Sequence, residues 1–499
     1  MAVDVVVGLD VGTQSSKLVA CDVDGAILAE ERVAHSVSRP RPGHFEQDAE
    51  TVWWRDVVAL LRRLADRAEL RPQALCVSAI GPTALPTDAA GSPLRPAILY
   101  GIDTRARAEI VELDERYGGP EGIAITGSAI SSQSPVPKLL WLQRHEPEVF
   151  AAMRRWYSAS PWLAGKLTGA YAIDHHSASQ SAPLYDVPRA EWRQDLWAEL
   201  LPGVAVPELV WPGDRLGGVT PEASEATGLP AGTPVVMGTV DAWAEAYSAY
   251  ADAPGTAMIM YGSTYFFIAN SDRFVASNRF WGTQSVRRGV HSLAGGMATG
   301  GLVLDWLAKL FATDVKTVLD LAFNSEIGPD TPLALPYLTG ERTPFADPDA
   351  RAVLFGMGLD TGQADVCRAF VLGLALAIRD NLDTIRDEAG GGRDYVAVGG
   401  GATSLPLLQL VSDVAGITQI VPMRTIGAAL GDAGLAAEAL GWATPRERWN
   451  PTERVVQPTD GRKAAFDPTY ARFKNLYSST RHLQQDGLAV GRSPDGAPA

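Results

Sequence analysis

The sequence predicts an α/β protein of two large, related domains, and three observations carry that expectation. The chain has 499 residues, more than one hydrophobic core usually holds at roughly 150 residues per domain. Short apolar runs rich in β-branched residues, such as Val5-Val6-Val7 and Val396-Ala397-Val398, alternate with long amphipathic stretches, the pattern of strands packed against helices. The stretches Val5 to Cys21 and Met258 to Ala269 each read as strand, short Gly/Ser/Thr turn, strand. A hairpin of this kind occurring twice in one chain points to two domains of common design.

Composition narrows the function classes. Hydrophobic residues make up 46% and charged residues 20% of the chain, as in folded soluble proteins. The formal charge of −15 repels phosphate backbones and anionic lipid, so neither a nucleic acid nor a membrane is an expected partner. Cys21, Cys76 and Cys367 are far apart with no CxxC pair, which fits a reducing compartment and buried thiols rather than disulfides or a zinc knuckle. The first residues carry Asp4 and Asp10 with no basic stretch, and no apolar run reaches the ~18 residues of a membrane span. The expected location is cytoplasmic.

Taken in chain order, Gly8-Leu9-Asp10-Val11-Gly12-Thr13-Gln14-Ser15-Ser16-Lys17 follows one apolar strand and leads into another. Glycine lets backbone approach an anion, the hydroxyls and N–H groups supply donors, Lys17 adds a positive charge, and Asp10 can hold hydrated Mg²⁺. These are the parts of a phosphate clamp; taken alone, a Gly/Ser/Thr hairpin is more often structural. Asp22-Val-Asp24-Gly25 resembles the strand-end DxDG of haloacid-dehalogenase-type phosphatases, in which the first Asp is a nucleophile; the alternative is an Asp24-Gly25 hairpin turn. From Ala49 to Ala68, Val52, Trp53, Val57, Leu60, Leu61 and Leu64 recur at helical spacing.

In Gly238-Thr-Val-Asp241-Ala-Trp-Ala-Glu-Ala246 an Asp stands where the strand from Pro234 passes into a helix. It reads as a helix N-cap or as a carboxylate facing a crevice, and phosphoryl transfer needs a carboxylate to deprotonate the attacking hydroxyl. Gly262-Ser263-Thr264 is the second hairpin turn. Gly295 to Gly301, before a helix from Leu302 to Phe311, and Gly399-Gly400-Gly401, before a helix from Leu405 to Ala415, are glycine turns against which a flat ring such as adenine can lie. Between them, Ala364 to Ala389 reads as a helix with Phe370, Leu374, Ala377, Ile378 and Leu382 on one face. Domains are expected over residues 1–247 and 248–445, with an extension over 446–499 that ends in a frayed tail at 492–499.

In this order the segments resemble the FGGY carbohydrate kinases, the family of xylulokinase, gluconate kinase and glycerol kinase, from about Val5 to about Trp442. Supporting stretches are Gly43-His-Phe-Glu-Gln-Asp48, Pro137-Lys-Leu-Leu-Trp141, Thr227 to Pro234 and Leu335 to Pro344; the last two read much like xylulokinase. The resemblance implies two ribonuclease-H-like (actin-like ATPase) domains around an ATP and sugar cleft, the first binding sugar and the second nucleotide. It implies Asp241 as catalytic base. Gly12, Thr13, Gln14, Ser15 and Lys17 would form the first phosphate loop and Gly262, Ser263 and Thr264 the second, with Gly301, Gly400 and Gly401 beside ATP and Asp10 orienting hydrated Mg²⁺. A small sugar, a ketose such as xylulose or a related pentulose or polyol, is the implied partner, and a homodimer is what related kinases suggest. At Gly81-Pro82, where sugar contacts are expected, glycerol kinases carry Arg-Glu and xylulokinases usually Met-His, so glycerol is not the expected substrate. Tyr100-Gly-Ile-Asp103-Thr-Arg105 is one residue longer than the family's Trp-Asn-Asp-x-Arg, with Asp103 still a candidate for sugar hydroxyls. The rivals are a catalytically inactive ATP-binding sensor or scaffold on the same fold and the phosphatase reading, in which Asp22 would lie beyond the phosphate loop.

Overall fold

The computed structural model describes residues 2–390 and 394–489, so the tail expected at 492–499 lies outside the described residues. Two compact units are present. The first joins Met1–Pro254, Asn270–Ser292 and Arg424–Pro451; the second joins Gly255–Ala269, Leu293–Met423 and Thr452–Ala499.

The first unit is built on β1 (Val3–Val11), β2 (Ser15–Cys21), β3 (Ile27–Ala34), β4 (Leu70–Ala79), β5 (Arg215–Gly218) and β6 (Pro234–Val240). Their order across the sheet is β5-β6-β4-β1-β2-β3. β1 pairs antiparallel with β2 and parallel with β4, and the register sets Asp10 opposite both Lys17 and Ser78. The apolar run Val5 to Leu9 is fully buried because both faces of the sheet are covered. On one face the helix Arg55–Ala65, preceded by a π-helical turn at Ala49–Trp54, buries Val57, Leu60, Leu61 and Leu64. On the other lies Ala428–Ala439, a helix of small residues. Gly8 makes that approach possible, since a Cβ there would stand 1.8 Å from the Ala429 carbonyl oxygen.

In the second unit β7 (Thr256–Tyr261), β8 (Tyr265–Ser271), β9 (His291–Met297), β10 (Asp394–Val398), β11 (Gln419–Pro422) and β12 (Thr452–Val456) run in the order β9-β8-β7-β10-β11-β12. β7 pairs antiparallel with β8 and parallel with β10, β10 parallel with β11, and β11 antiparallel with β12. This repeats the pattern of the first sheet, in which β1 takes the place of β7. The helix Gln363–Ala389 buries Phe370, Leu374, Ala377, Ile378 and Leu382, and Leu405–Ala415 spans the residues its periodicity predicts. Among the described residues no helix is long and apolar enough to cross a membrane.

Candidate active site

In the first unit, the turn between β1 and β2 is closed by the Gly12 N–H donating to the Ser15 carbonyl at 3.0 Å. It is braced on two sides. Gln47 Nε2 donates to the Thr13 carbonyl at 3.0 Å, and His35 bridges the Gly12 carbonyl (2.9 Å) and the buried Asp56 carboxylate (2.8 Å), which also accepts from Ser16 Oγ. Thr13 Oγ1 lies 3.3 Å from the Tyr100 hydroxyl, and Gln14 is exposed. A loop held this way keeps its remaining donors in a fixed arrangement, the requirement for binding phosphate oxygens.

Three carboxylates and one ammonium gather at the ends of β1 and β6. Asp10 is buried at the end of β1. Asp241 is the first residue of the helix Asp241–Ser248, which β6 enters directly, and its Oδ1 accepts from the Ala242 N–H at 2.7 Å. Glu245 follows one turn later, on the same face of that helix. Lys17 Nζ donates to the Ile426 carbonyl at 3.4 Å, just before the helix Ala428–Ala439. Burial pushes all three carboxyls up, and repulsion from Asp10 adds to it for the other two: Asp241 to about 8, with Asp10 as its main charged neighbour, Glu245 to about 7, and Asp10, by burial alone, to about 6. Lys17 acts in the opposite direction on all three. Asp241 is thus a half-buried carboxyl with high proton affinity, as a group that receives a proton from an alcohol requires.

Asp10 Oδ1 is buried and accepts no hydrogen bond. A hard oxygen donor left free in this way suits a hydrated divalent cation. Among the described residues no three His, Cys, Asp or Glu side chains form a group that could hold a metal ion directly.

Gly81 and Pro82 follow β4, and the next N–H, that of Thr83, donates to Ser158 Oγ at 3.1 Å. At Gly81 a Cβ would come within 2.8 Å of Val240, the last residue of β6, so this segment runs against the strand that delivers Asp241. Asp103 is buried; its carboxylate accepts from the Phe45 N–H at 2.7 Å and is clasped by the Arg105 guanidinium through both oxygens. Asp22 accepts from the N–H groups of Asp24 and Ala26, so its carboxylate is engaged in the turn between β2 and β3.

In the second unit the turn Gly262-Ser263-Thr264 joins β7 to β8. The N–H groups of Gly300 and Leu302 donate to the Ser263 carbonyl, and that of Gly301 to the Gly262 carbonyl, at 2.9 to 3.0 Å. The helix Gly301–Leu310 therefore starts against this turn, and a Cβ at Gly301 would stand 2.8 Å from the Gly262 oxygen. Gly400 and Gly401 lie in the 3₁₀ turn Gly400–Thr403 after β10; a Cβ at Gly401 would stand 2.9 Å from that of Tyr261, whereas Gly400 faces open space. Three glycine loops thus meet at the C-terminal end of β7.

Sequence reasoning did not single out Glu245, although its spacing of four from Asp241 was readable. Nor did it find Asp432, the one Asp in a helix otherwise made of Ala, Gly, Leu and one Glu. The Ile426 carbonyl that holds Lys17 had no sequence signal.

Two family descriptions match the chain: the FGGY family of carbohydrate kinases, N-terminal domain, over residues 5–247, and the C-terminal domain of the same family over residues 257–440. Xylulose kinase of Escherichia coli K12 is 31% identical to it over 489 residues, which cover 94% of this chain and 98% of that enzyme. The crystal structure of xylulose kinase from Rhodospirillum rubrum superposes with a TM-score of 0.90 at 28% identity, covering 96% of this chain and all of that one. Plasmodium falciparum glycerol kinase with ADP, at 20% identity and a TM-score of 0.86, shares the fold.

Proposed function

Because the chain belongs to the FGGY family of carbohydrate kinases, we propose that it transfers the γ-phosphoryl group of ATP to a hydroxyl of a small ketose, a pentulose such as xylulose, with Asp241 as general base. The observation that carries the assignment of the base is the position of Asp241: first residue of a helix fed by β6, half-buried, with burial and Asp10 raising its proton affinity.

In the proposed reaction the sugar hydroxyl oxygen attacks the γ-phosphorus, the bond to the β–γ bridging oxygen breaks, and the hydroxyl proton passes to an Asp241 oxygen. Phosphoryl transfer of this kind leaves little covalent work to the protein, so positioning and charge compensation dominate. Lys17 and the N–H groups of the Gly12 to Ser15 turn supply that compensation, and Gly262, Ser263 and Thr264 are the second set of phosphate-binding residues in this reading. Gly301, Gly400 and Gly401 lie beside the nucleotide in this reading, and Gly81, Pro82 and Asp103 in the sugar-binding region. Asp103, clasped by Arg105, supports the sugar region through that ion pair and its hydrogen bond from Phe45. Asp10 would hold hydrated Mg²⁺, which when bound neutralises phosphate charge.

The reading is tested with purified protein, Mg-ATP and a panel of pentuloses, hexuloses and polyols, following ADP release. Sugar-dependent ADP with a pentulose preferred is the expected result. ATP binding with no sugar-dependent ADP would leave a nucleotide-binding protein that transfers nothing.

A further inference from the structure

The first unit contains an open cavity of about 380 Å³ lined by Arg41, His44, Glu46, Arg105, Trp141 and His145, none of which belongs to the carboxylate cluster. Its position follows from strand geometry. Glu46 and Gln47 form a two-residue strand paired with Ala97–Ile98, and successive side chains of a strand point to opposite faces. Gln47 reaches the Thr13 carbonyl in the phosphate turn; Glu46 lines the cavity. The cavity and the phosphate turn are therefore on opposite faces of this strand.

One wall is aromatic. His145 stacks on Trp141 at 4.7 Å between ring centroids, and His44 meets Trp141 edge-on at 5.8 Å. Polar groups complete it. Arg95 and Arg105 both donate to Glu46 Oε1, so Oε2 takes no hydrogen bond among the described residues. Arg41 is exposed and makes no ion pair among the described residues. Charges balance: Arg41, Arg95 and Arg105 stand against Glu46, Glu146 and Asp103, with Glu146 paired to Arg95 at 3.3 Å and Asp103 to Arg105 at 2.8 Å. Burial and the Arg105 charge hold His44 below its ordinary range. An anion would meet Glu46 in this cavity and a cation would meet Arg41. A donor, an acceptor and an aromatic wall around a neutral space of this volume suit a hydroxyl-rich molecule.

We propose that this cavity is a second binding site, separate from the Asp241 centre, for a neutral polyhydroxylated small molecule of the free-sugar or polyol class. The test is hydrogen–deuterium exchange on the full chain with millimolar xylitol, and in parallel with inorganic phosphate, in the wild type, Trp141→Leu and Arg41→Ala. Xylitol is expected to slow exchange in segments 40–47 and 141–146 of the wild type. That protection should be lost in Trp141→Leu and reduced in Arg41→Ala, with sugar-dependent ADP release unchanged in both. Arg41 is exposed, so its variant serves if Trp141→Leu fails to fold. The proposal is overturned by absence of protection in these two segments, by protection with phosphate and not xylitol, or by protection that both variants retain.

Discussion

Asp432 Oδ2 accepts two hydrogen bonds from Ser78, one from its backbone N–H at 3.1 Å and one from its hydroxyl at 2.6 Å, while the Cys76 thiol approaches Oδ1 at 3.4 Å. These contacts tie the helix Ala428–Ala439 to β4, a strand 354 residues earlier in the chain. Burial pushes the Asp432 carboxyl well above the usual range, so the site favours an uncharged acceptor over a carboxylate. Asn offers the same acceptor oxygen. Asp432→Asn should therefore unfold in urea close to the wild type, whereas Asp432→Ala leaves the buried Ser78 N–H without a partner and should lose about 1–3 kcal/mol. Equal losses in the two variants would show that an uncharged acceptor oxygen does not suffice at this position.

The contact that brings this helix onto β1 is equally specific. Replacing Gly8 with Ala puts a methyl group 1.8 Å from the Ala429 oxygen and 2.5 Å from the Ala433 nitrogen. Backbone must move to admit it, and overpacking of this kind costs about 1–3 kcal/mol or more. A thermal melt of Gly8→Ala matching the wild type would show that the helix does not pack as described.

Asp241→Asn retains the shape of the site and removes the proton acceptor. Turnover should fall by ~10²–10⁴-fold, the usual contribution of a general base. Calorimetric affinity for a non-hydrolysable ATP analogue should stay near that of the wild type, because the loss falls on the transition state rather than on nucleotide binding. Wild-type turnover in this variant rules Asp241 out as the base.

The same substitution has a consequence for stability. Asp241 is raised from 3.8 in its ordinary state to about 8 in the fold, so between these values the native protein holds a proton that the unfolded chain has released. Stability from this group consequently declines as pH rises through that window. Asp10 and Glu245 shift in the same direction. Asn carries no such cost, so the melting temperature of Asp241→Asn relative to wild type should rise between about pH 5 and about pH 8. A difference that is constant or shrinks across that range would show that Asp241 is not raised. Gaining stability on losing the carboxyl proposed as base is the expected trade between activity and stability.

Much of this protein is written locally. The alternation of buried β-branched runs with helices of period 3.6 yields the α/β class, and the two strand–turn–strand segments, Val5 to Cys21 and Met258 to Ala269, become the central hairpins of two sheets with one strand order. Asp24-Gly25 forms the turn its residues favour, with Gly25 at a φ of 77°. Turn chemistry and periodicity act over a few residues, which is why they can be read without a structure.

Other features belong to the tertiary structure, because they depend on segments hundreds of residues apart. Nothing near Arg424–Pro451 in the sequence announces that it returns to the unit containing β1. That return puts the Ile426 carbonyl on Lys17 and Asp432 on Ser78, and it makes Gly8 a contact point between β1 and the helix. The raised proton affinity of Asp241 is likewise a product of packing: by sequence it is an Asp at a strand end, and it becomes a strong proton acceptor only where burial and the charge of Asp10 act on it together.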